Sequence, residues 1–288
     1  MPLDQDNFNV NSFNIKPAKK LAMGHGWQWI NEGFRYFTYS KYIWMSTLLI
    51  LVFSVMLMIY LVPILQLVLI ILLPLVTAGL GLACHEIEKG NKINVVYLIK
   101  GFVHPSNVNL IRYGFWLILL MIIAQMFGSM ILMALGISQE TVAGELQRLT
   151  KSSNPTLQSI VDSPVLVKYL VISFVMMLPI TAINIFSPYL LIFSKLSALD
   201  SIKYSVVAVI KNISAIALYA FIYLFLIFVV FLILKGLNGV LFSLFSQDSI
   251  IAPVIDLVVT MIAILFIASL SYCSAYVAFK DTFLGEEI

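Results

Sequence analysis

The chain reads as an all-α polytopic membrane protein: six transmembrane helices with three amphipathic interfacial helices on the cytoplasmic side, arranged as a pseudo-threefold repeat of helix, span, span. Three observations predict this. Hydrophobic residues make up 61% of the 288 positions and charged residues only 11%, against about 45–50% apolar usage in soluble domains. Six apolar stretches reach the ~20 residues needed to cross about 30 Å of hydrocarbon. Three semi-polar segments with helical periodicity precede the first, third and fifth of them.

The spans are expected near 42–62, 64–84, 110–136, 167–193, 213–234 and 252–277. Only the region around Pro63 in "IYLVPILQ" separates the first two, which predicts a tight hairpin with a short outer turn. Residues 1–24 form a polar N-terminal tail, 25–282 a single membrane domain and 283–288 a C-terminal tail. Residues 1–26 lack the apolar core of a cleavable signal peptide, so the first span is expected to direct insertion.

Orientation follows from Lys and Arg, whose excess marks cytoplasmic loops. With the N-terminus inside, thirteen of the 17 fall on the inner side, and Arg148, Lys151, Lys168 and Lys235 on the outer. Both termini are therefore expected in the cytoplasm. The net charge of +3 does not point to nucleic acid. Cys84 and Cys273 both sit near inner span ends and are read as free thiols.

Each semi-polar segment can be written as an amphipathic helix. In "GHGWQWINEGFRYFTYSKY", Trp27, Ile30, Phe34 and Phe37 share a face opposite Gln28, Asn31, Glu32 and Arg35. In "NKINVVYLIKGFVH", Val95, Ile99, Phe102 and Val103 align. In "LDSIKYSVVAVIKN", Ile202, Val206, Val209 and Ile210 align opposite Asp200, Ser201 and Lys211. The strings "VVYLIK" and "VVAVIK" coincide at four of six positions, and each follows a proline-bearing apolar run that ends in charge. Such recurrence marks either duplicated units around a central site or a repeated packing module. Interfacial lipid contact is expected from Trp27, Trp29, Arg35, Lys100, Lys203 and Lys211, within an aromatic inner belt that also holds Tyr36, Phe37, Tyr39, Tyr42 and Trp44.

The opening "GWQWINEGFRYF", the proline-bearing second and fourth spans and the "LSALDSIKYSVVAVIKN" stretch resemble a family of six-helix bacterial inner-membrane proteins. That family is distantly similar to the membrane domain of glycerophosphodiester phosphodiesterases. The likeness covers 25–282 and implies a link to envelope integrity or lipid homeostasis. Its motifs are packing motifs and transfer no catalytic residue. The phosphodiesterase barrel of the better-known relatives has no counterpart in these residues, so their chemistry is not implied.

Independent chemistry is sparse. "HEIEKG" groups His85, Glu86 and Glu88, but consecutive residues do not share a helical face, so a solvated helix end is expected rather than a metal site. No Walker loop, dinucleotide fingerprint, nucleophile elbow, zincin or CxxC motif occurs. Gly79, Gly81 and Ala83, and the small residues of "ASLSYCSA", suit close helix approach. The expectation is a protein that is not an enzyme and holds no cofactor or metal.

Intramembrane polar groups are the candidate site, because an unpaired one costs several kcal/mol in hydrocarbon. These are Gln125, Asn184 between Pro179 and Pro188, and Asp256 three residues after Pro253. Packing hydrogen bonds for the first two, and for Asp256 a pair with Lys235, are the plainer alternatives. The periplasmic loop 137–166 carries "SQETVAGELQRL", which predicts a helix capped at Ser138 with Val142, Leu146 and Leu149 on one stripe, broken by "KSSNPT". Two functions remain open: a non-enzymatic envelope protein acting through lipids, other envelope proteins or a second copy of itself, and a transporter or flippase of a lipid or amphipathic solute.

Overall fold

The computed structural model describes residues 15–61, 65–151, 157–245 and 251–285. These residues form helices with no strand among them. Six helices are long and apolar enough to cross a membrane: α2 (Lys41–Leu61), α3 (Leu65–Glu88), α5 (Asn107–Ala134), α8 (Pro164–Phe193), α10 (Ile213–Leu244) and α11 (Ile251–Phe283). Preceding α2, α5 and α10 are α1 (His25–Tyr39), α4 (Tyr97–Val103) and α9 (Ala198–Lys211). The remaining connection holds α6 (Gln139–Lys151) and α7 (Leu157–Val161). The predicted turn at Pro63 and the break within 152–156 lie outside the described residues.

Several spans run past their expected ends, α3 by four residues to Glu88 and α11 by six to Phe283. Hydropathy locates the hydrocarbon edge, whereas caps and packing locate the helix end. At α8, Pro164 occupies the first turn and Ser163 Oγ accepts the Leu166 N–H at 3.4 Å. Ser138 Oγ caps α6 by accepting the Thr141 N–H at 3.1 Å, and Val142 is buried against Tyr169 and Ile172 of α8.

The three units close into a ring. Each interfacial helix packs most extensively on the second span of the preceding unit: α4 on α3, α9 on α8, and α1 on α11. The second spans α3, α8 and α11 meet one another at the centre, and α5 sits between α3 and α8. By contrast, α10 leans on α11 and α1 and contacts α9 only at its foot.

The faces that make these contacts differ from the apolar stripes expected from periodicity. Helix α1 buries Gly26, Trp29, Ile30, Gly33, Tyr36 and Phe37, leaving Trp27 and Phe34 exposed. Helix α4 buries Tyr97, Leu98 and Gly101, and exposes Ile99 and Val103. Helix α9 buries Ser201, Ser205, Ala208 and Val209, so Ser201 lies on the packed side, while Ile210 is 68% exposed. Small residues win the protein-facing side because backbones approach there. A Cβ on Gly33 would strike Ser274 of α11, and one on Gly101 would strike the Leu75 carbonyl of α3. The packed positions of "VVYLIK" and "VVAVIK" nevertheless coincide: Tyr97 and Leu98 in one, Ala208 and Val209 in the other.

Segment 15–24, expected as part of a free tail, is fastened to the bundle. Lys16 and Lys19 donate backbone N–H groups to the carbonyls of Phe283 and Thr282 at 3.3 and 3.0 Å. Asn212, fully buried, accepts the Leu21 N–H at 2.7 Å and donates to the Lys19 carbonyl at 2.8 Å. A buried amide with two such partners is satisfied, and so fixes the chain instead of destabilising it.

Candidate functional site

The core is concentrated in the half of the bundle that carries α1, α4 and α9. Tyr189, Phe193, Tyr276, Phe279 and Phe283 are all at most 1% exposed. The ring of Phe279 stacks on Tyr189 at 5.7 Å and on Phe193 at 5.6 Å between centroids. Such pairs contribute about 0.5–1.5 kcal/mol each beyond burial. In the other half the spans separate. Beyond Leu48 the described residues of α2 are exposed or half-buried, and before Leu265 only Ala252 of α11 is buried.

Where the packed half gives way to the open half, a cavity of about 570 Å³ lies among α3, α5, α8, α10 and α11. Trp29, Phe186 and Tyr189, all buried, are among the residues that line it. Its walls are apolar except for the hydroxyl, amide and indole groups of Trp29, Thr77, Thr181, Asn184, Tyr189, Tyr219, Ser271 and Tyr272. No Asp, Glu, Lys, Arg or His lines it among the described residues.

Two prolines shape the wall. Pro74 and Pro188 both lie inside helices and both face the cavity, as do the residues four positions earlier, Ile70 and Asn184. A proline has no N–H for the i−4 carbonyl, so the Ile70 and Asn184 carbonyls lose their helical donors beside the cavity. The Asn184 side chain accepts the Tyr113 hydroxyl of α5 at 2.7 Å.

Of the three intramembrane polar candidates, only Asn184 reaches this cavity. Leu117 and Met121 of α5 line it, but Gln125, one turn further out, is exposed and borders a separate cleft of about 20 Å³ against α8. Asp256 is half-buried near the start of α11 and forms no ion pair among the described residues. Lys235, its expected partner, instead holds its ammonium 5.8 Å from the Phe231 ring centroid. The three sit at different depths on different faces, so they do not converge.

The expected lipid contacts also divide. Trp27 is exposed at 58%, and the Arg35 side chain is exposed beside Glu32 at 3.3 Å. Lys203 is exposed, while Lys211 is exposed yet donates to the Ala18 carbonyl at 3.4 Å. Lys100 is half-buried, with its ammonium 3.5 Å from the Tyr97 ring centroid. Trp29 is a correction: it is 1% exposed and donates its indole N–H to Asp281 at 2.7 Å. The aromatic belt is likewise split, because Tyr36, Phe37 and Trp44 are buried whereas Tyr39 and Tyr42 are exposed. Burial raises the Tyr36 hydroxyl to about 12, helped by the nearby Glu88 carboxylate.

The "HEIEKG" end is not solvated throughout. His85 and Glu88, three apart, share a face toward α11, where Tyr276 OH donates to Glu88 at 2.8 Å and lies 3.1 Å from His85 Nδ1. Lys280 pairs with the same Glu88, while Glu86 turns outward to Lys89 and Asn91. Among the described residues no three His, Cys, Asp or Glu side chains converge as metal ligands. This network sits behind the aromatic stack and ties α3 to α11. The small residues of α11 also divide: Ser274 meets Gly33, but Ser271 and Ala275 line the cavity.

Sequence reasoning placed a candidate cavity or polar cluster at Asn184 but did not find the lining that α3, α10 and α11 supply. Its available signal was the pair of prolines with a polar or apolar residue four positions earlier, together with Ser271 and Tyr272 on a face otherwise read as packing. No family model, curated protein or solved structure matches the chain.

Proposed function

We propose that this chain is a non-enzymatic multi-pass protein of the bacterial inner membrane that takes an amphipathic molecule from the bilayer into its central cavity and moves it within the membrane. The carrying observation is the cavity itself. It lies where the packed half of the bundle, which carries α1, α4 and α9, gives way to the half in which the spans diverge, and it is lined by apolar groups with uncharged polar ones. Ligand sites of this kind are concave, mostly apolar and supplied with a few orienting polar groups. A bundle filled by its own side chains would not serve this role.

The absence of acidic or basic side chains from the lining disfavours coupling to protons or ions at this site. The distribution of Lys and Arg, thirteen to four, supports cytoplasmic termini, and with them a packed half that faces the cytoplasm. Lipid homeostasis in the cell envelope, the role implied by the resemblance to six-helix inner-membrane proteins, is the physiological setting that fits such an activity. Exposed Trp27, Arg35 and Lys203 suit contact with headgroups on that side.

The test is reconstitution of the full chain into vesicles containing a headgroup-labelled fluorescent lipid, followed by addition of an impermeant quencher. Protein should accelerate loss of the inner-leaflet signal, and Asn184→Leu should slow it. Equal rates in protein-free vesicles across neutral, zwitterionic and anionic lipids would refute the activity. Orientation is checked separately by impermeant thiol labelling of Lys151→Cys and Lys92→Cys chains in spheroplasts, with labelling expected only at 151.

A further inference from the structure

A second groove, of about 450 Å³, lies between α2 and α3. Leu51, Val55 and Met58 of α2 face Leu69, Leu72 and Val76 of α3 across it. Its one hydroxyl, Ser54, is turned back onto the Ile50 carbonyl at 2.7 Å. The groove is thus purely hydrocarbon in character, whereas the central cavity offers hydroxyls and an amide.

Leu73 lines both. At about 100° per residue, Ile70, Pro74 and Thr77 fall on one flank of Leu73, and Leu69, Leu72 and Val76 on the other. Helix α3 is therefore a partition with a polar chamber on one side and an alkyl channel on the other. Leu73, 41% exposed, is the crossing point between them. The groove exists because α2 and α3, although consecutive, touch only sparsely, while Trp44 and Leu48 anchor the inner end of α2 in the core.

The geometry points to one continuous site for an uncharged lipid alcohol, of the diacylglycerol kind, with its hydroxyl-bearing head in the central cavity and one hydrocarbon chain laid over Leu73 into the α2–α3 groove. The head is uncharged because the lining supplies no cation, and a phosphate enclosed there would lose its hydration without a counter-charge. It carries a hydroxyl because the residues of the wall include Thr77, Asn184, Ser271 and Tyr272, whose hydroxyl and amide groups can pair with one. The assignment of substrate class rests on the cavity reading above.

Two photoreactive diacylglycerols test it with the full chain in nanodiscs, one bearing a diazirine at the end of an acyl chain and one beside the glycerol. Labelled peptides are located by mass spectrometry. The tail probe should mark 54–58 and 69–76, and the head probe the cavity wall around Met121 and Ile180. Unlabelled diacylglycerol should compete with both, and phosphatidic acid with the same chains should not. Leu73→Trp should cut tail labelling severalfold while head labelling persists. If the head probe marks the cavity but the tail probe marks lipid-facing surfaces evenly, the two-part site is wrong and the cavity reading stands. Equal competition by phosphatidic acid overturns the uncharged head. Uncompeted, scattered labelling by both probes overturns site and cavity reading together.

Discussion

Asp281 near the end of α11 accepts the indole N–H of Trp29 in α1 at 2.7 Å, joining residues 252 positions apart in the chain. The same oxygen lies 2.7 Å from His25 Nδ1, and the carboxylate is 4% exposed. This is the seal of the ring, because it fastens α1, the first interfacial helix described, to α11, the last span. Trp29 also lines the cavity, so the seal and the candidate site share a residue.

Removing the carboxylate leaves the buried Trp29 indole N–H unpaired, at about 1–3 kcal/mol. Asp281→Ala should therefore lower the Tm in detergent clearly. Trp29→Phe, which leaves Asp281 with His25, should cost less in hydrogen bonding. An Asp281→Ala chain melting like the wild type would show that α1 is held by packing alone.

Close backbone approach at α1 and α11 predicts that Gly33→Leu is severely destabilising, since even a Cβ would meet Ser274. Gly144 in α6 has nothing near a Cβ, so Gly144→Ala should be neutral or stabilising by up to about 1 kcal/mol through helix propensity. Thermal melts of the two variants give the comparison, and similar effects would negate the packing argument.

Ser205 of α9 donates to the Ala182 carbonyl of α8 at 2.7 Å and accepts the Phe186 N–H at 3.3 Å. Ser205→Ala should cost about 1 kcal/mol or somewhat more. Ser205→Val should cost further, because a larger side chain pushes α9 off α8. Protease protection of the 195–212 connection reports the detachment directly, and full protection in both variants would count against it.

His104, between α4 and α5, is buried, and burial lowers its pKa below the ordinary 6.5. Its Nδ1 accepts the Ser106 N–H at 3.1 Å, a bond that protonation of that nitrogen removes. The unfolded chain therefore takes up this proton at higher pH than the folded one. The contribution to stability is fully present above about 6.5 and is lost as pH falls from there through the folded value. Tm should drop more steeply between pH 7.5 and 5 in the wild type than in His104→Gln, and parallel curves would exclude the role.

The six spans and three surface helices were legible because length and hydropathy report the cost of placing backbone in hydrocarbon. The α6 cap at Ser138 was legible because it is a local contact three residues long. The faces were not. Trp27 and Phe34 are exposed, as lipid-facing anchors would be, but Gly26, Gly33, Ser201 and Ser205 looked incidental and form the contacts between helices. Of the candidate polar residues, Asn184 was placed with its neighbouring Pro188 already in view, but Gln125 and Asp256 could not be separated from it by depth or rotation alone.

From sequence alone follow the class of the protein, the number of its crossings, the recurrence of an interfacial helix before every second span, and the expected cytoplasmic side. Only the tertiary structure decided that α1 returns to α11 to close the ring, that the half carrying α1, α4 and α9 packs while the other half opens, and which side chains share the cavity. The reason is physical. Hydrophobicity separates membrane from water, but lipid tails are as apolar as a protein core. Within the bilayer, the choice between lipid and neighbouring helix falls to side-chain size, hydrogen bonding and shape, and those act between residues as distant in sequence as Trp29 and Asp281.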